Sequence, residues 1–379
     1  MIAETVSVAI RAGSGSPSAV SEDFIDALRT VTVRQVDDGP STFQLVLDAE
    51  RAAQSSAELP VISAATVAPG NRVKIGVQLY GTTTALFDGV IAHTELNYDG
   101  SGGAFSYSVI GEDLSLYMRL EEKAAEWPGR SSSQIATEII GNYAQYGLSA
   151  TVVSPSNDVT PTADQWVRQQ NASDLRFLRA LARPFGYIFA TRPGASMDAQ
   201  GVAYWGPPPR DGTPLPALTI EMGTDSNVLA IDFGYDAAAA EVYKGGSRVD
   251  ADTMAASTVS SSADFSGTAF ASTASLKSAL LRTRRYIEPD RFGTLATAYA
   301  DALAQVSARS AMRVRAVVDG LDYGTAVTPS SVIAIRGAGA MHDGLYYVER
   351  VDHTFRTGEY RMEIVMTREG TGSTISNVS

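Results

Sequence analysis

The most informative segment of this sequence reads Gln170-Asn171-Ala172-Ser173-Asp174-Leu175-Arg176-Phe177-Leu178-Arg179-Ala180-Leu181 and continues at Gly186-Tyr187-Ile188-Phe189. Ser173 is a typical helix N-cap, because its hydroxyl can accept a hydrogen bond from the first turn. Leucines at positions 175, 178 and 181 then fall on one face of that helix. Pro184 cannot continue the helix, and residues 187–189 are typical of a strand. We therefore predict a helix followed by a strand.

A second helix is predicted just upstream, because Ser131-x-x-Gln134 forms a capping box. Its apolar residues, at 135, 139, 140 and 143, share one helical face. Downstream, five prolines between 207 and 216 predict a stiff connector. Residues 119–216 are thus expected to form an α+β insertion domain.

The region before this insertion, residues 1–118, shows the period-2 alternation of half-buried antiparallel strands. The glycine-rich segment 99–103 lies between two strand-like segments, 86–96 and 104–111. Because glycine adopts positive φ without strain, this segment predicts a hairpin. The alternating apolar residues elsewhere in the region are Val31, Val33, Phe43, Leu45, Leu47, Val73, Ile75, Val77 and Leu79.

The region after the connector is predicted to be β-rich again, in two pieces at 217–250 and 312–370. Between them, residues 251–280 are mostly Ala, Ser and Thr, so we expect a mobile loop that buries little surface. A helix is expected at 292–307, which makes 251–311 a loop with a helical insertion. The polar residues after Arg368, including the tail 371–379, are expected to fray. The predicted apolar stripe of the helix is Phe292, Leu295, Tyr299, Leu303 and Val306.

An internal echo links the two β-rich ends. Pro69-x-x-x-Val73-x-Ile75 is followed by Asp88-Gly89, and Pro329-x-x-x-Ile333-x-Ile335 is followed by Asp343-Gly344. Short turn–strand patterns recur by chance, so the echo alone is weak. It suggests two related antiparallel β-domains, with α+β and helical material between them.

Composition excludes several classes of protein. The chain carries 30 Lys and Arg against 42 Asp and Glu, a net charge of −12, which disfavours binding to a nucleic-acid backbone. It has no cysteine, which excludes disulfides, thiol nucleophiles and Cys-ligated metals. The N-terminus lacks the pattern of a signal peptide, and no apolar run is long enough to span a bilayer. We expect a soluble protein made in the cytoplasm, without a direct membrane anchor.

The search for catalytic chemistry finds no site. No zinc-protease helix, EF-hand loop, nucleophile elbow or P-loop occurs, so we predict no catalytic, cofactor-binding or metal-binding residue and no enzymatic activity. Two His–Asp neighbours, 342–343 and 352–353, are interpreted as turn and strand-end residues rather than metal ligands. Arg282, Arg284, Arg285 and Arg291 are interpreted as an ion-paired interface or helix entry. A carboxylate pair of the glycosidase type stays open among Glu121, Glu122, Glu126, Asp158 and Asp164.

The segment 170–189 resembles the trimeric central hub of contractile phage tails and related injection machines. This family includes the late control D proteins of tailed phages and the hub half of the type VI secretion spike, VgrG. The shared pattern is a Ser-Asp-Leu-x-Phe-Leu helix at 173–178 and a Gly-Tyr-x-Phe strand at 186–189, with Ala172 where the family usually has an acidic residue. Three further segments, 69–75 with 86–91, 344–353 and 360–368, are similar to the first barrel and the closing hairpin.

This resemblance implies two related β-barrel tube domains per chain and a homotrimer with six quasi-equivalent units. Such a ring would join a hexameric inner tube to a threefold spike and contact baseplate or wedge proteins, with cargo passing through the lumen. The chain stops soon after the closing hairpin, so we expect the spike to be a separate polypeptide. We also expect acidic residues to line the lumen, and the protein to be part of a phage tail or injection particle assembled in the bacterial cytoplasm.

Two alternatives remain at this stage. One is a tail-associated peptidoglycan hydrolase that uses a carboxylate pair. The other is a free-standing β-rich glycan-binding module, which would be a stable monomer. Neither alternative accounts for the Ser-Asp-Leu-x-Phe-Leu segment.

Overall fold

The computed structural model describes residues 6–50, 59, 65–100, 104–160, 167–247, 257–287 and 293–375 of the chain. The fold is β-rich, as predicted, and is dominated by one sheet of 13 strands. All but one of the strand pairs in this sheet are antiparallel, and strands from both ends of the chain belong to it. Whether these strands divide into two barrel domains stays a prediction. In the described residues, no helix is both long and apolar enough to cross a membrane.

The described residues of the first region form seven strands and one short α-helix. Residues 31, 33, 43, 45 and 47 are buried as their alternation predicts, and so are 73, 75, 77 and 79. The predicted hairpin is present, although residues 101–103 of its turn lie outside the described residues. The elements are β1 (Val6–Gly13), β2 (Ser18–Ala19), α1 (Glu22–Asp26), β3 (Leu28–Val36), β4 (Thr42–Ala49), β5 (Arg72–Leu79), β6 (Thr82–Asp99) and β7 (Ala104–Asp113).

The middle region is α+β with an apolar core centred on the fully buried Trp205. The capping box at Ser131 and Gln134 is confirmed, with both reciprocal hydrogen bonds formed. Ser173 is the N-cap of the next helix, but its hydroxyl makes no capping hydrogen bond. The elements are β8 (Glu122–Trp127), α2 (Ser132–Gly141), β9 (Leu148–Val152), β10 (Arg168–Ser173), α3 (Asp174–Ala182), β11 (Ile188–Arg192) and β12 (Gly201–Gly206).

The last region returns to the large sheet after a small three-stranded sheet and a long helix. Its elements are β13 (Leu215–Thr219), β14 (Ala230–Tyr235), β15 (Glu241–Gly246), β16 (Thr258–Ser260), β17 (Thr273–Ala274), β18 (Arg282–Tyr286), α4 (Gly293–Arg309), β19 (Met312–Asp319), α5 (Gly320–Tyr323), β20 (Val332–Arg336), β21 (Gly344–Arg356), β22 (Glu359–Arg368) and β23 (Gly370–Thr371).

The expectation of little burial over 251–280 is wrong for residues 257–280. Val259, Phe270 and Leu276 are each at most 1% exposed, so three large apolar residues anchor this segment, whereas Leu280 at its end is 61% exposed. The carboxylate of Glu369 accepts hydrogen bonds from the backbone N–H groups of Phe270 and Ala271. Residues 251–256 lie outside the described residues.

Two further expectations need correction. Helix α4 buries a face of small residues, because the alanines at 296, 300, 304 and 308 are fully buried. Of the predicted stripe, Tyr299 is buried, but Leu303 is only half-buried and Val306 is 46% exposed. The chain does not fray directly after Arg368, since Glu369 is fully buried and β23 pairs with β17.

Candidate assembly interface

The two β-rich regions repeat one strand order. In the first region the strands pair in the order β3-β4-β7-β6-β5-β1, and in the last region in the order β14-β19-β22-β21-β20-β13. If these six strands of each region are numbered in the order in which they occur along the chain, both regions have the same spatial order of strands. The repeats differ at one end, because β1 is antiparallel to β5 whereas β13 is parallel to β20.

The strand registers show which residue of one repeat corresponds to which residue of the other. A β-bulge with one extra residue, Ala92, interrupts the β6–β7 ladder, and a second β-bulge, with Glu349 as the extra residue, interrupts the β21–β22 ladder. Aligning these two bulges places Val73 on Ile333 and Ile75 on Ile335, through their partners in β6 and β21. The strand part of the sequence echo is therefore confirmed. The Asp-Gly part of the echo is wrong by two residues. Gly89 pairs with residue 73, whose counterpart is residue 333, whereas Gly344 pairs with residue 335.

The two repeats join through one strand pair inside the chain. The C-terminal half of β21, from Arg350 to Arg356, pairs with β3 beyond the point where β20 ends. Val33 lies opposite His353 and Val31 lies opposite Phe355, and all four are buried. We call this pair the internal junction.

The internal junction contains a buried histidine held by two hydrogen bonds. The ring of His353 is 3.0 Å from the Tyr360 hydroxyl at Nδ1 and 2.9 Å from Gln35 Oε1 at Nε2. Burial lowers the pKa of His353 to about 3, so the ring is neutral at pH 7. This histidine is part of the core and lies within β21, not at a strand end as the sequence interpretation had it.

Charged residues on the exposed face of the junction form a row of ion pairs. Asp352 is 2.7 Å from Arg34 and 3.3 Å from Arg350, and Glu363 is 3.2 Å from Arg350 and 2.7 Å from Arg315. The row runs across β3, β21, β22 and β19, with opposite charges adjacent. Acidic and basic side chains therefore compensate each other on this part of the sheet.

Each repeat also has an edge that the other repeat does not cover. Within the described part of the chain, residues 93–98 of β6 pair only with β7, and β14 pairs only with β19. The bulge alignment makes Leu96 the counterpart of His353 and Tyr98 the counterpart of Phe355. Leu96 is 48% exposed and Tyr98 is 59% exposed, whereas their counterparts are 0% and 5% exposed.

The same contrast holds for β14. Through the pairing of β14 with β19, Ile231 is the counterpart of Val31 and Phe233 is the counterpart of Val33. Both residues are only half-buried, whereas Val31 and Val33 are buried. We call the exposed half of β6 and the outer side of β14 the free edges.

An aromatic pair at the β6 free edge and another at the internal junction support this equivalence. Tyr98 contacts Phe105 with ring centroids 4.7 Å apart, and Phe355 stacks on Tyr360 at 4.3 Å. The bulge alignment makes these pairs counterparts. The first free edge therefore presents the aromatic pair that the internal junction buries.

A charged cavity lies beside the internal junction, where α3, α4 and the sheet approach one another. Burial, with the nearby Glu349, raises the pKa of Asp37 to about 7, and burial also raises the pKa of Asp38. Burial, followed by the nearby Arg210, lowers the pKa of Arg309 to about 10. Charges that are costly to bury thus meet at this position.

Of the carboxylates considered for a glycosidase-type pair, Asp158 has a structural role. Asp158 accepts hydrogen bonds from the hydroxyl of Ser131 and from the backbone N–H groups of Ser132 and Ser133, so it satisfies the N-terminus of α2. Glu121, Glu122 and Glu126 are exposed on or beside β8. Asp164 lies outside the described residues.

The other candidate residues are accounted for by contacts within the chain. Asp343 accepts a hydrogen bond from the N–H of Ala338, and the ring of His342 contacts Phe233. Among the described residues, no group of three or more His, Asp or Glu side chains could hold a metal ion.

The arginine cluster is also paired in part. Arg282 and Arg284 each lie 3.0 Å from Glu241, which supports the ion-paired interpretation. Arg285 is exposed, and Arg291 lies outside the described residues.

One buried ion pair gave no signal in the sequence. Arg210 lies within the proline-rich connector and pairs with Glu369, and both side chains are buried. The two residues are 159 positions apart, and neither lies in a recognisable motif. Only the three-dimensional structure brings them together.

Comparison with solved structures shows the same fold in tail proteins. A tail protein of Neisseria meningitidis MC58 matches with a TM-score of 0.63 and 11% identity, over 96% of this chain and 97% of that one. The chain has the fold of phage tail proteins. The 43 kDa tail protein of prophage MuSo2 from Shewanella oneidensis matches with a TM-score of 0.64 and 12% identity, over 96% and 98% of the two chains.

The fold also extends to secretion systems. The E. coli c3393 protein, a component of the type VI secretion system, matches with a TM-score of 0.50 and 12% identity, over 92% of this chain and 76% of that one. No protein-family model and no curated protein sequence matches the chain.

Proposed function

We propose that the chain is the non-enzymatic central hub of a contractile tail or injection particle. Three copies would form a ring that seats a hexameric inner tube on one side and a separate trimeric spike on the other. The fold shared with phage tail proteins supports a structural role in a tail. The repeated strand order, with one free edge on each repeat, is the observation that carries the proposal of a ring.

The internal junction supplies the geometry for the contact between copies. If β14 of one copy pairs with β6 of the next as β3 pairs with β21, Phe233 lies opposite Leu96 and Ile231 lies opposite Tyr98. This contact buries the apolar residues that are exposed in the single chain and satisfies two edges that would otherwise promote aggregation. It is heterologous, so repetition closes a ring when the rotation between copies permits.

A closed trimer would alternate two kinds of junction, internal and between copies, around six repeats. Six similar repeats match a hexameric tube, and the middle regions, present once per chain, reduce the symmetry to threefold. The acidic lining of the lumen remains a prediction, and the row of ion pairs at the internal junction does not supply it, because three arginines there face two carboxylates.

Light scattering after size exclusion tests this proposal. A hub gives a particle of three times the 40.0 kDa of one chain, with a central hole in electron micrographs. A monomer that stays monomeric when tube and spike proteins are added would refute it. Clearing of cell-wall zymograms would instead favour a peptidoglycan hydrolase, and we expect none.

A further inference from the structure

A cavity of about 650 Å³ opens beside the internal junction. Its floor is the sheet, with Asp37 and Tyr347, and its walls are the end of α3, the side of α4 and the connector at Arg210. The volume is within the range of roughly 300–1,000 Å³ that is typical of ligand sites. It is large enough for several side chains of a peptide.

Two arginines in the walls form no salt bridge in the described part of the chain, although Asp38 also lines the cavity and the charge of Arg179 acts on its pKa. Arg309 donates to the carbonyl oxygen of Gly186 at 2.7 Å, and the Nε of Arg179 is buried without a hydrogen-bond acceptor. In the described part of the chain, neither forms a salt bridge within 4.0 Å. A buried guanidinium without a counter-charge is costly, and a bound carboxylate would supply that charge.

The cavity's own acidic residues compensate this charge only in part. Asp37 is half-protonated near pH 7, because burial and Glu349 raise its pKa to about 7. Glu349 is itself engaged by Arg313 at 3.0 Å and by the hydroxyl of Thr367 at 3.1 Å. The cavity therefore keeps positive charge available for a ligand.

The rim of the cavity is apolar on one side. Val306 is 46% exposed and Leu303 is half-buried, because α4 packs on the protein through its alanines. Tyr187 and Pro208 continue this side, and Arg183 is exposed at the mouth. A ligand that matches the site has a carboxylate to enter the cavity and an apolar group to cover the rim.

We propose that this cavity binds an acidic peptide segment of another protein in the particle. A carboxylate of the segment would lie between Arg179 and Arg309, and an adjacent apolar side chain would cover Val306. One copy of the chain contains the whole site. Binding is therefore independent of ring formation, and the two proposals can fail separately.

Fluorescence anisotropy at low salt tests the proposal with a labelled peptide of alternating Leu and Glu residues. The matched control peptide, called the twin below, has Gln in place of Glu. We expect saturable binding of the acidic peptide and at least about tenfold weaker binding of the twin, since only the former carries the counter-charge. Arg309→Gln should weaken binding by about tenfold.

Variants at the rim avoid damage to the fold, because Val306 is partly exposed. Val306→Asp should abolish binding by repulsion, and Val306→Lys should preserve or strengthen it. Leu120→Asp is the matched control, since Leu120 is 69% exposed in the middle region and does not line the cavity. Equal binding of both peptides, no effect of Val306→Asp, or competition by inorganic phosphate at the concentration of the peptide would overturn the proposal.

Discussion

Removing the apolar side chains of one free edge should weaken assembly without unfolding the chain. Leu96 and Tyr98 are 48% and 59% exposed in a single copy, so each has about half of its side chain left to bury. Complete burial of a large apolar side chain stabilises by about 1.5–3 kcal/mol, which gives about 1 kcal/mol for each residue at the contact between copies. The double variant Leu96→Ala/Tyr98→Ala should therefore lose about 2 kcal/mol per contact.

A loss of about 2 kcal/mol corresponds to roughly a 30-fold weaker contact. Sedimentation velocity over a range of concentrations measures this as a shift of the trimer–monomer midpoint. The melting temperature of the monomer should change little, because the exposed half of β6 contributes little to the core. Leu120→Ala, on a more exposed leucine away from both edges, is the control. An unchanged midpoint in the double variant, or an equal shift in the control, would refute the assignment of the free edges.

Three further predictions concern stability. Glu369→Ala should destabilise the chain by about 3–5 kcal/mol in urea unfolding, because it leaves Arg210 buried without its counter-charge. The control Glu359→Ala removes an exposed ion pair and should cost at most about 1 kcal/mol. Equal losses in the two variants would contradict this reasoning. The folded-state pKa of Asp37 is raised from 3.8 to about 7, so its ionisation costs stability as the pH rises from about 4 to 7. Relative to wild type, the free energy of unfolding of Asp37→Asn should increase by up to about 4 kcal/mol over that range and then level off. A difference between the two proteins that does not change with pH would be inconsistent with this pKa. The folded-state pKa of His353 is lowered from 6.5 to about 3. The wild type should therefore lose stability as the pH falls below 6.5, by up to about 1.4 kcal/mol per pH unit. This dependence of stability on pH should be absent in His353→Gln.

The sequence predicts the local elements well where side-chain periodicity determines them. The alternation in β3, β4 and β5 and the capping box of α2 depend on neighbouring residues, and the structure confirms them. The apolar stripe of α4 fails because the helix packs through its alanines and leaves Val306 at a cavity mouth. Amphipathic spacing indicates which face is apolar, but only tertiary packing decides whether that face is covered.

Long-range features could not be predicted from the sequence. The partnership of Arg210 with Glu369 and the pairing of β3 with β21 join residues far apart in the chain. The sequence echo indicated a repeat, but the strand registers were needed to place it correctly. The free edges became visible only when Leu96 and Tyr98 could be compared with their buried counterparts.

The most direct test of the proposed ring is a disulfide across the contact between copies. The chain has no cysteine, so any cross-link in Leu96→Cys/Phe233→Cys joins introduced cysteines only, and each single variant alone is the control for links between two identical positions. Leu96→Cys/Tyr235→Cys is two residues out of register, which places the sulfurs too far apart to bond without backbone movement. On a non-reducing gel, the proposal predicts linked chains that stop at three for the first pair and no linkage for the second. No linkage for the first pair, equal linkage for both, or a ladder that continues beyond three would contradict it.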